Sequence, residues 1–160
     1  MASATPQAGS ELFERILSAP SGLIVLADGD SASLINQFRV IARHAGQAVY
    51  LWQPDTGLSS LRDAHARVPG CQRLGHALRY MQQSMHFGVY LLMGLELPLS
   101  AMDSTLLRQL ARSPAGYLRR VVLIDAPATL AEHLSDVAAT LNGQSSLSQG
   151  LRLRDGRWLR

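Results

Sequence analysis

The stretch LIVLADGDSASL, residues 23–34, contains the residue types and spacing that could most readily support chemistry. An apolar, strand-like run leads into Asp28-Gly29-Asp30 and a helix-like pattern follows, and α/β proteins bind ligands at such carboxyl ends of strands. A phosphate-binding loop here requires several glycines, whose amides contact the phosphates, and a lysine for the outer phosphates. Only Gly29 follows the strand, and all fifteen basic residues are arginines. A standard P-loop is therefore excluded.

Two other aspartate motifs fit this stretch incompletely. A phosphatase of the haloacid-dehalogenase type uses one aspartate as nucleophile and the next as general acid. Here Ala32 stands where a threonine or valine is usual, and the phosphate-neutralising lysine is missing. A calcium-binding EF-hand loop requires a glycine and a glutamate where this chain has Ser33 and Arg39. We therefore interpret Asp28 as the end of the strand and Asp30 as the cap of the following helix.

Cysteine, histidine and the remaining acids give no complete site. Cys71 and His76 could supply two ligands from one helix, whereas zinc requires three or four. Glu96 follows a strand in the manner of a Walker B acid, but without a phosphate loop it has no magnesium-nucleotide to serve. The sequence predicts no catalytic, cofactor-binding or metal-binding residue, so we expect neither an enzyme nor a cofactor.

Apolar runs alternate with helix-like segments along the chain. We expect buried strands at 22–27, 48–52, 88–94 and 120–126. We expect helices at 10–18, 31–45, 74–85, 102–112 and 129–141. The last of these helices is predicted to begin with a capping box formed by Thr129 and Glu132, and residues 53–70 are rich in turn formers and predict a connection. Continuous apolar strands between helices indicate a mainly parallel sheet covered on both faces, and hence an α/β fold.

Length and composition indicate one domain. The chain has 160 residues, 47% of them hydrophobic and 17% charged, as is typical of a globular protein with a single core. We expect a disordered start at residues 1–9 and a single domain at residues 10–160. Within that domain, we expect residues 147–160 to form a basic β-hairpin tail that turns at Asp155-Gly156. A single cysteine indicates a reducing compartment, and the apolar runs are too short to cross a membrane. We expect a cytoplasmic location without membrane insertion.

The predicted sheet carries opposite charges at its two ends. Its carboxyl end collects Asp28, Asp30, Asp55, Glu96 and Asp125 without a nearby cation, and should repel phosphates. Its amino end collects Arg43, His44, Arg112, Arg119 and Arg120. In the hairpin, Arg154 lies opposite Arg157, which is unfavourable unless a partner supplies negative charge. That partner is a carboxylate-rich protein surface or, as the alternative, a nucleic-acid backbone. The predicted interaction residues are Arg119, Arg120, Arg152, Arg154, Arg157, Trp158 and Arg160.

The ordered set of segments resembles a known family. ELFERILSAPSGLIVLADGD, GQAVYLWQPDTGL, ALRYMQQSMHFGVYLLMGLELPL and LLRQLARSPAGYLRRVVLIDAPATLAEHLSDV are similar, in this order, to the amino-terminal domain of AAA-type ATPases encoded in chloroplast and cyanobacterial genomes and in bacterial relatives. The resemblance covers residues 11–137 and implies a RecA-like three-layer α/β sandwich, degenerate here because it lacks a P-loop. Gly94 stands where the family has an aspartate, and this sequence does not include the family's ATP-binding module. The resemblance therefore does not imply ATP hydrolysis.

A more distant likeness, carried by LFERILSAPSG and the terminal hairpin, is to the degenerate RecA-like amino-terminal domain of a bacterial cellulose-secretion regulator. Both resemblances imply a nucleotide-binding shape used for protein contacts. We therefore expect a non-catalytic adaptor or regulatory domain, a pseudo-ATPase domain that binds a protein partner. Two alternatives are an RNA- or DNA-binding module that uses the arginine-rich end and tail, and a nucleotide or small-molecule sensor. Association of two copies through an exposed sheet edge is a further expectation.

Overall fold

The computed structural model describes residues 4–27, 30–63, 66–84, 87–112 and 119–142. These residues form helices and strands that alternate along most of the chain. The helices are α1 Ala4–Ser18, α2 Ser31–His44, α3 Leu74–Gln83, α4 Ala101–Ala111 and α5 Ala128–His133. The strands are β1 Leu23–Ala27, β2 Val49–Gln53, β3 Gly57–Ser60, β4 Arg67–Val68, β5 Gly88–Leu92, β6 Arg119–Ile124 and β7 Ala139–Asn142.

The strands form one seven-stranded sheet in the order β4-β3-β2-β5-β6-β1-β7. β2, β5, β6, β1 and β7 pair in parallel, whereas β3 runs antiparallel to both β2 and β4. β1 lies inside the sheet, with Leu23 opposite Val121 of β6 and Ile24 opposite Ala139 of β7. The predicted α/β fold with a mainly parallel sheet is confirmed, and its layered arrangement is that of a RecA-like domain.

The sheet is covered on both faces because its central strands are apolar at most positions, Arg119 and Arg120 at the start of β6 being exceptions. Along β1, Leu23 and Val25 pack with residues of α3, α4 and α5, on what we call the α3–α5 face. Ile24 and Leu26 point the other way and pack with residues of α1 and α2, on the α1–α2 face. Successive side chains of a strand alternate between faces, so a continuous apolar run fills both layers at once.

The first helix is longer than predicted. α1 begins at Ala4, so residues 4–9 of the predicted disordered start 1–9 are helical, and residues 1–3 lie outside the described residues. Pro6 is tolerated because the first turn of a helix has backbone N–H groups without intrahelical partners. The apolar side that includes Phe13 and Ile16 is buried against the sheet, and this packing stabilises a helix whose first residues have no apolar pattern of their own.

The connection predicted at 53–70 contains two short strands. Pro54, Asp55 and Thr56 form a tight turn in which the Thr56 N–H donates to the Pro54 carbonyl over 2.6 Å. Asp55 has a φ of 67° and Gly57 one of 87°. This turn reverses the chain into β3, which places Leu58 opposite Trp52 and buries it. The turn-forming residues that predicted a loop therefore mark an antiparallel hairpin.

The helix predicted at 129–141 is wrong in its second half. α5 ends at His133, and residues 139–142 instead form β7 on the outer side of β1. Pro127 occupies the N-cap position of α5 and no side chain caps the helix, so the capping box predicted for Thr129 and Glu132 does not form.

The predicted tail hairpin at 147–160 lies outside the described residues. Among the residues that the structure does describe, no helix has the length and apolar character needed to cross a bilayer.

Candidate functional site

The carboxyl ends of β1 and β6 meet where the chain connections diverge. The connection after β1 leads through α2 to β2, whereas the connection after β6 leads through α5 to β7, in the opposite direction across the sheet. Adjacent parallel strands with diverging connections leave a crevice at their carboxyl ends, and this is the usual ligand position in open α/β sheets. Residues 28 and 29 lie outside the described residues, and Asp30 and Asp125 flank the crevice.

The amino terminus of α2 is capped by the chain itself. Asp30 has an extended backbone, and its carboxylate Oδ2 accepts a hydrogen bond of 2.9 Å from the Ser33 N–H. The predicted cap is thereby confirmed. Phosphate-binding helices of this topology present their first N–H groups to the ligand. Here a negatively charged side chain already occupies that position and complements the positive end of the helix dipole.

The rest of the carboxyl edge is largely acidic. Asp55, Glu96 and Asp125 are exposed, and Asp125 holds a φ of 57°, a left-handed conformation that is uncommon outside glycine. The prediction that no cation lies near this edge is corrected by Arg73. This exposed residue is the N-cap of α3, whose first turn follows β4 at the same end of the sheet. Sequence reasoning missed Arg73 because it had not predicted β4.

A shallow apolar groove lies beside this edge, between the β5–α4 connection and α5. Its volume is about 260 Å³. It is lined by Leu97, Pro98, Leu99, Ser104, Thr129, Leu130 and His133. The rim residue Leu97 remains 42% exposed, and the polar groups of the groove are two hydroxyls and one imidazole. The sequence gave no signal for the groove because its lining comes from three separate segments.

Arg119, a predicted interaction residue, contacts the carboxyl end of α3. Its Nη1 group donates to the carbonyls of Met81, Gln82 and Ser84, over 2.9, 3.1 and 3.2 Å. Carbonyls at the end of a helix have no intrahelical donors, and a guanidinium both satisfies them and complements the negative end of the dipole. At least part of the Arg119 side chain therefore stabilises the fold.

Arg120 is a buried residue and lies at the end of α1. It is 7% exposed, and its guanidinium donates to the carbonyls of Ile16 over 3.2 Å and Leu17 over 3.0 Å. Burial lowers the pKa of this guanidinium, which nevertheless stays charged at neutral pH. The surface role predicted for Arg120 is corrected, because the side chain is enclosed between the sheet and α1.

The other predicted cations divide between exposed positions and the tail. Arg43, His44 and Arg112 are exposed at the ends of α2 and α4, where the prediction placed them. Of the predicted interaction residues, Arg152, Arg154, Arg157, Trp158 and Arg160 lie outside the described residues.

Cys71 has a structural environment. It is buried, and its backbone carbonyl accepts a hydrogen bond of 2.8 Å from Nε1 of Trp52. Burial raises the pKa of the Cys71 thiol, which disfavours the nucleophilic thiolate. Within the described ranges, no three His, Cys, Asp or Glu side chains are placed to hold a metal ion together.

The fold defines the class of this protein as a RecA-like α/β domain, in which Asp30 caps the helix that follows the crevice. The family model for the N-terminal domain of SpoVK-like AAA ATPases matches residues 10–142, and the chain belongs to this family. Comparisons with curated proteins and with solved structures gave no significant match.

Proposed function

We propose that this domain is a non-catalytic adaptor or regulatory domain that acts through contacts with a protein partner. The observation that supports the proposal most directly is the carboxylate of Asp30 at the amino terminus of α2. This carboxylate fills the position where a nucleotide-binding relative presents N–H groups to phosphate. The chain also has no lysine to replace the missing phosphate contacts. We further propose a cytoplasmic location and kinship with the chloroplast and cyanobacterial type of AAA protein.

The absence of nucleotide binding is tested by thermal unfolding with and without millimolar Mg·ATP or Mg·ADP. A ligand present at about 100 times its Kd adds about 2.7 kcal/mol of stability, so binding would raise the Tm measurably. We expect no shift. A Tm that rises and saturates with nucleotide concentration would refute the pseudo-ATPase proposal.

The protein partner is tested by capture from a lysate of the native host, divided into nuclease-treated and untreated halves. We expect a discrete protein that survives nuclease treatment and is lost with the double variant Arg154→Glu, Arg157→Glu. The matched control is Arg43→Glu, Arg112→Glu, which reverses two exposed charges at helix ends. Equal capture by wild type and both variants would remove the tail from the binding surface.

A nucleic-acid-binding function is a second candidate, favoured by the exposed Arg43, His44 and Arg112 at the amino end of the sheet. It is weakened by Arg119 and Arg120, whose guanidinium groups contact helix carbonyls. Binding to nucleic acid through phosphates would fall steeply with salt concentration. Fluorescence anisotropy with labelled single-stranded RNA and duplex DNA at several salt concentrations tests this candidate, and an absence of binding at low salt excludes it.

A small-molecule sensor is a third candidate, and the groove between the β5–α4 connection and α5 favours it. Its apolar lining with a few polar groups has the character of a ligand site. Screening small apolar carboxyl-free compounds by thermal shift tests this candidate. A ligand whose effect disappears in Thr129→Phe, which adds bulk at an exposed lining position of the groove, would support it, and an effect that persists in that variant would exclude the groove.

A further inference from the structure

The groove between the β5–α4 connection and α5 is an apolar depression in an acidic part of the surface. Leu130 lines it as a buried residue, whereas Leu97 and Pro98 on one wall and Thr129 on the other are exposed. Single exposed apolar side chains are common on protein surfaces, but a concave group of them is typical of an interaction site. The groove therefore has the shape and lining to take up an apolar side chain.

The size of the groove favours one anchoring side chain over a whole ligand molecule. Its volume is about 260 Å³, which is below the range of about 300–1,000 Å³ typical of pockets that enclose drug-sized ligands. Its polar lining groups are the hydroxyls of Ser104 and Thr129 and the imidazole of His133. Because Leu97 on its wall is 42% exposed, the groove is open to a longer chain that crosses it.

Acidic side chains dominate both segments that form the groove. Glu96 directly precedes Leu97 in the β5–α4 connection, and Glu132 lies three residues after Thr129 in α5, which makes the two neighbours on the helix surface. Both glutamates are exposed. A segment that crosses the groove therefore meets negative charge on each side. Within residues 95–108 and 125–136, the acids are Glu96, Asp103, Asp125, Glu132 and Asp136, and the one arginine is Arg108.

Arg108 offsets only a small part of this charge. Its Nη1 group donates to Oδ2 of Asp136 over 3.0 Å, and its Nη2 group donates to the His133 carbonyl over 2.9 Å. These bonds use Arg108 to join α4 to α5. The exposed Arg73 belongs to α3, which contacts α4 through the hydrogen bond between Gln82 and Gln109. The two segments that form the groove therefore remain strongly negative.

We infer that this groove is a docking surface for a short segment of a partner protein that carries an apolar side chain between lysine or arginine residues. The apolar side chain enters the groove beside Leu130, and the flanking cations lie against Glu96 and Glu132. Removal of apolar surface from water supplies affinity, and the charge match speeds association and excludes acidic partners and nucleic acid. The inference rests on the proposed function, for which it names a surface and the chemistry of the partner.

Selection from a phage-displayed library of random short peptides on the immobilised full-length protein tests the chemistry of the occupant. We expect the enriched sequences to share one leucine, methionine, phenylalanine or tryptophan flanked by lysine or arginine. Enrichment of acidic sequences, or no enrichment above that on blank beads, would overturn the inference.

Two matched pairs of variants test whether an enriched peptide binds in the groove. Leu97→Ser removes an exposed apolar side chain from the groove wall, whereas Val40→Ser removes one of similar exposure from α2. Glu132→Arg reverses a charge beside the groove, whereas Glu14→Arg reverses one on α1. By fluorescence anisotropy with the labelled peptide, we expect at least a tenfold loss of affinity in Leu97→Ser and Glu132→Arg and none in their controls. Equal affinity of wild type and all four variants would overturn the inference.

Two other occupants of the groove have their own signatures. A second copy of the chain would give a sedimentation coefficient that rises with protein concentration in wild type but not in Thr129→Phe. A small apolar molecule would raise the Tm without any need for positive charge. Either result, in the absence of peptide enrichment, would overturn the inference.

Capture from a host lysate separates this inference from the proposed function. A captured protein that binds equally to wild type and Thr129→Phe would overturn the groove as the docking surface and leave the adaptor function standing. Enriched basic peptides that bind the groove, with no protein captured from the lysate, would uphold the chemistry of the groove and count against the adaptor function.

Discussion

At the scale of single residues, Asp30 contributes stability by capping α2. We expect Asp30→Ala to lower the free energy of unfolding by about 1 kcal/mol, because the Ser33 N–H loses its acceptor and the helix dipole loses a counter-charge. Urea unfolding measures the change. Asp30→Asn is the control, since asparagine is an equally good cap, and it should recover most of the loss. Equal stabilities of the alanine variant and wild type would contradict the capping role.

Arg120 is expected to be more important for stability than the exposed arginines. Arg120→Met keeps much of the side-chain volume but leaves the Ile16 and Leu17 carbonyls without their donors. We expect a loss of about 2–3 kcal/mol in urea unfolding, typical of removing hydrogen bonds to a buried charged group. Arg43→Met, at an exposed helix end, should change stability by less than about 0.5 kcal/mol. Similar effects of the two substitutions would contradict the structural role of Arg120.

We expect ionisation of the buried Tyr90 to lower the stability of the folded protein at alkaline pH. Burial raises the pKa of its phenol above the ordinary value of 10.0, although a hydrogen bond with Ser84 opposes this. The folded state therefore holds the proton more tightly, so this stabilisation is complete below pH 10.0 and disappears as the pH rises through the raised pKa. Tyr90→Phe should flatten the decline measured by urea unfolding from neutral to alkaline pH. Tyr80→Phe, at a 38% exposed position, should flatten it less, and the reverse order would contradict this account.

Residue roles were predictable where their partners are local in sequence. The Asp30 cap acts on a residue three positions away. The residue type and its position just before a helical pattern were therefore sufficient to predict that Asp30 caps α2. Arg120 contacts a carbonyl 104 positions away and Arg119 one 38 positions away. Their charge predicted that both arginines lie on an exposed interaction surface. In the structure, the carbonyls at the ends of α1 and α3 determine where the guanidinium groups lie.

At the scale of elements, the junction of β1 with α4 depends on Gly22. Its N–H donates to the Ala111 carbonyl over 3.1 Å, its carbonyl accepts from Val121, and an added Cβ would overlap the carbonyl oxygen of Leu110. We expect Gly22→Ala to destabilise the domain by about 3 kcal/mol, since two backbones must separate.

The control for this junction is Gly46→Ala, which adds a Cβ into open space at a φ of 69°. It should cost only about 1 kcal/mol of left-handed backbone strain. Comparison of the two variants by urea unfolding separates close approach from backbone conformation. A smaller loss at Gly22 than at Gly46 would contradict the packing of α4 against β1.

Strands buried on both faces were predictable, and strands at the ends of the sheet were not. β1, β2, β5 and β6 have continuous apolar runs that only a doubly covered sheet explains. β3 and β4 are short and polar at several positions, so their pattern is that of a connection. In β7, Leu141 continues the helical spacing of Leu130 and Leu134, and the open edge of β1 decides in favour of a strand.

At the scale of the whole molecule, the fold depends on its last strands. We expect a fragment of residues 1–112 to lack cooperative unfolding, because without β6 and β7 the central strand β1 has no partner. Circular dichroism followed during urea titration tests this, with the full-length chain as the control. A cooperative transition in the fragment would show that residues 1–112 form a stable unit without β6 and β7.

The class of fold was predictable for the whole molecule, but the position of the groove was not. The alternation of apolar strands and helices can be read directly from the order of residues, and it predicts a sheet with a layer of helices on each face. The groove depends on how the β5–α4 connection lies beside α5, and this follows from the crossing order of the strands. That order is set by packing between elements far apart in the chain.

The central position of β1 in the sheet also affects when this strand can pair during synthesis of the chain. Leu23 is paired with Val121, and Ile24 with Ala139, so β1 is synthesised first among the described strands but pairs with the last two of them. Translation proceeds from the amino terminus, and during most of it the segment LIVLA has no hydrogen-bonding neighbour within the nascent chain. Such a segment binds readily to other unfolded chains. We therefore expect β1 to be prone to non-native pairing during synthesis until β6 and β7 emerge.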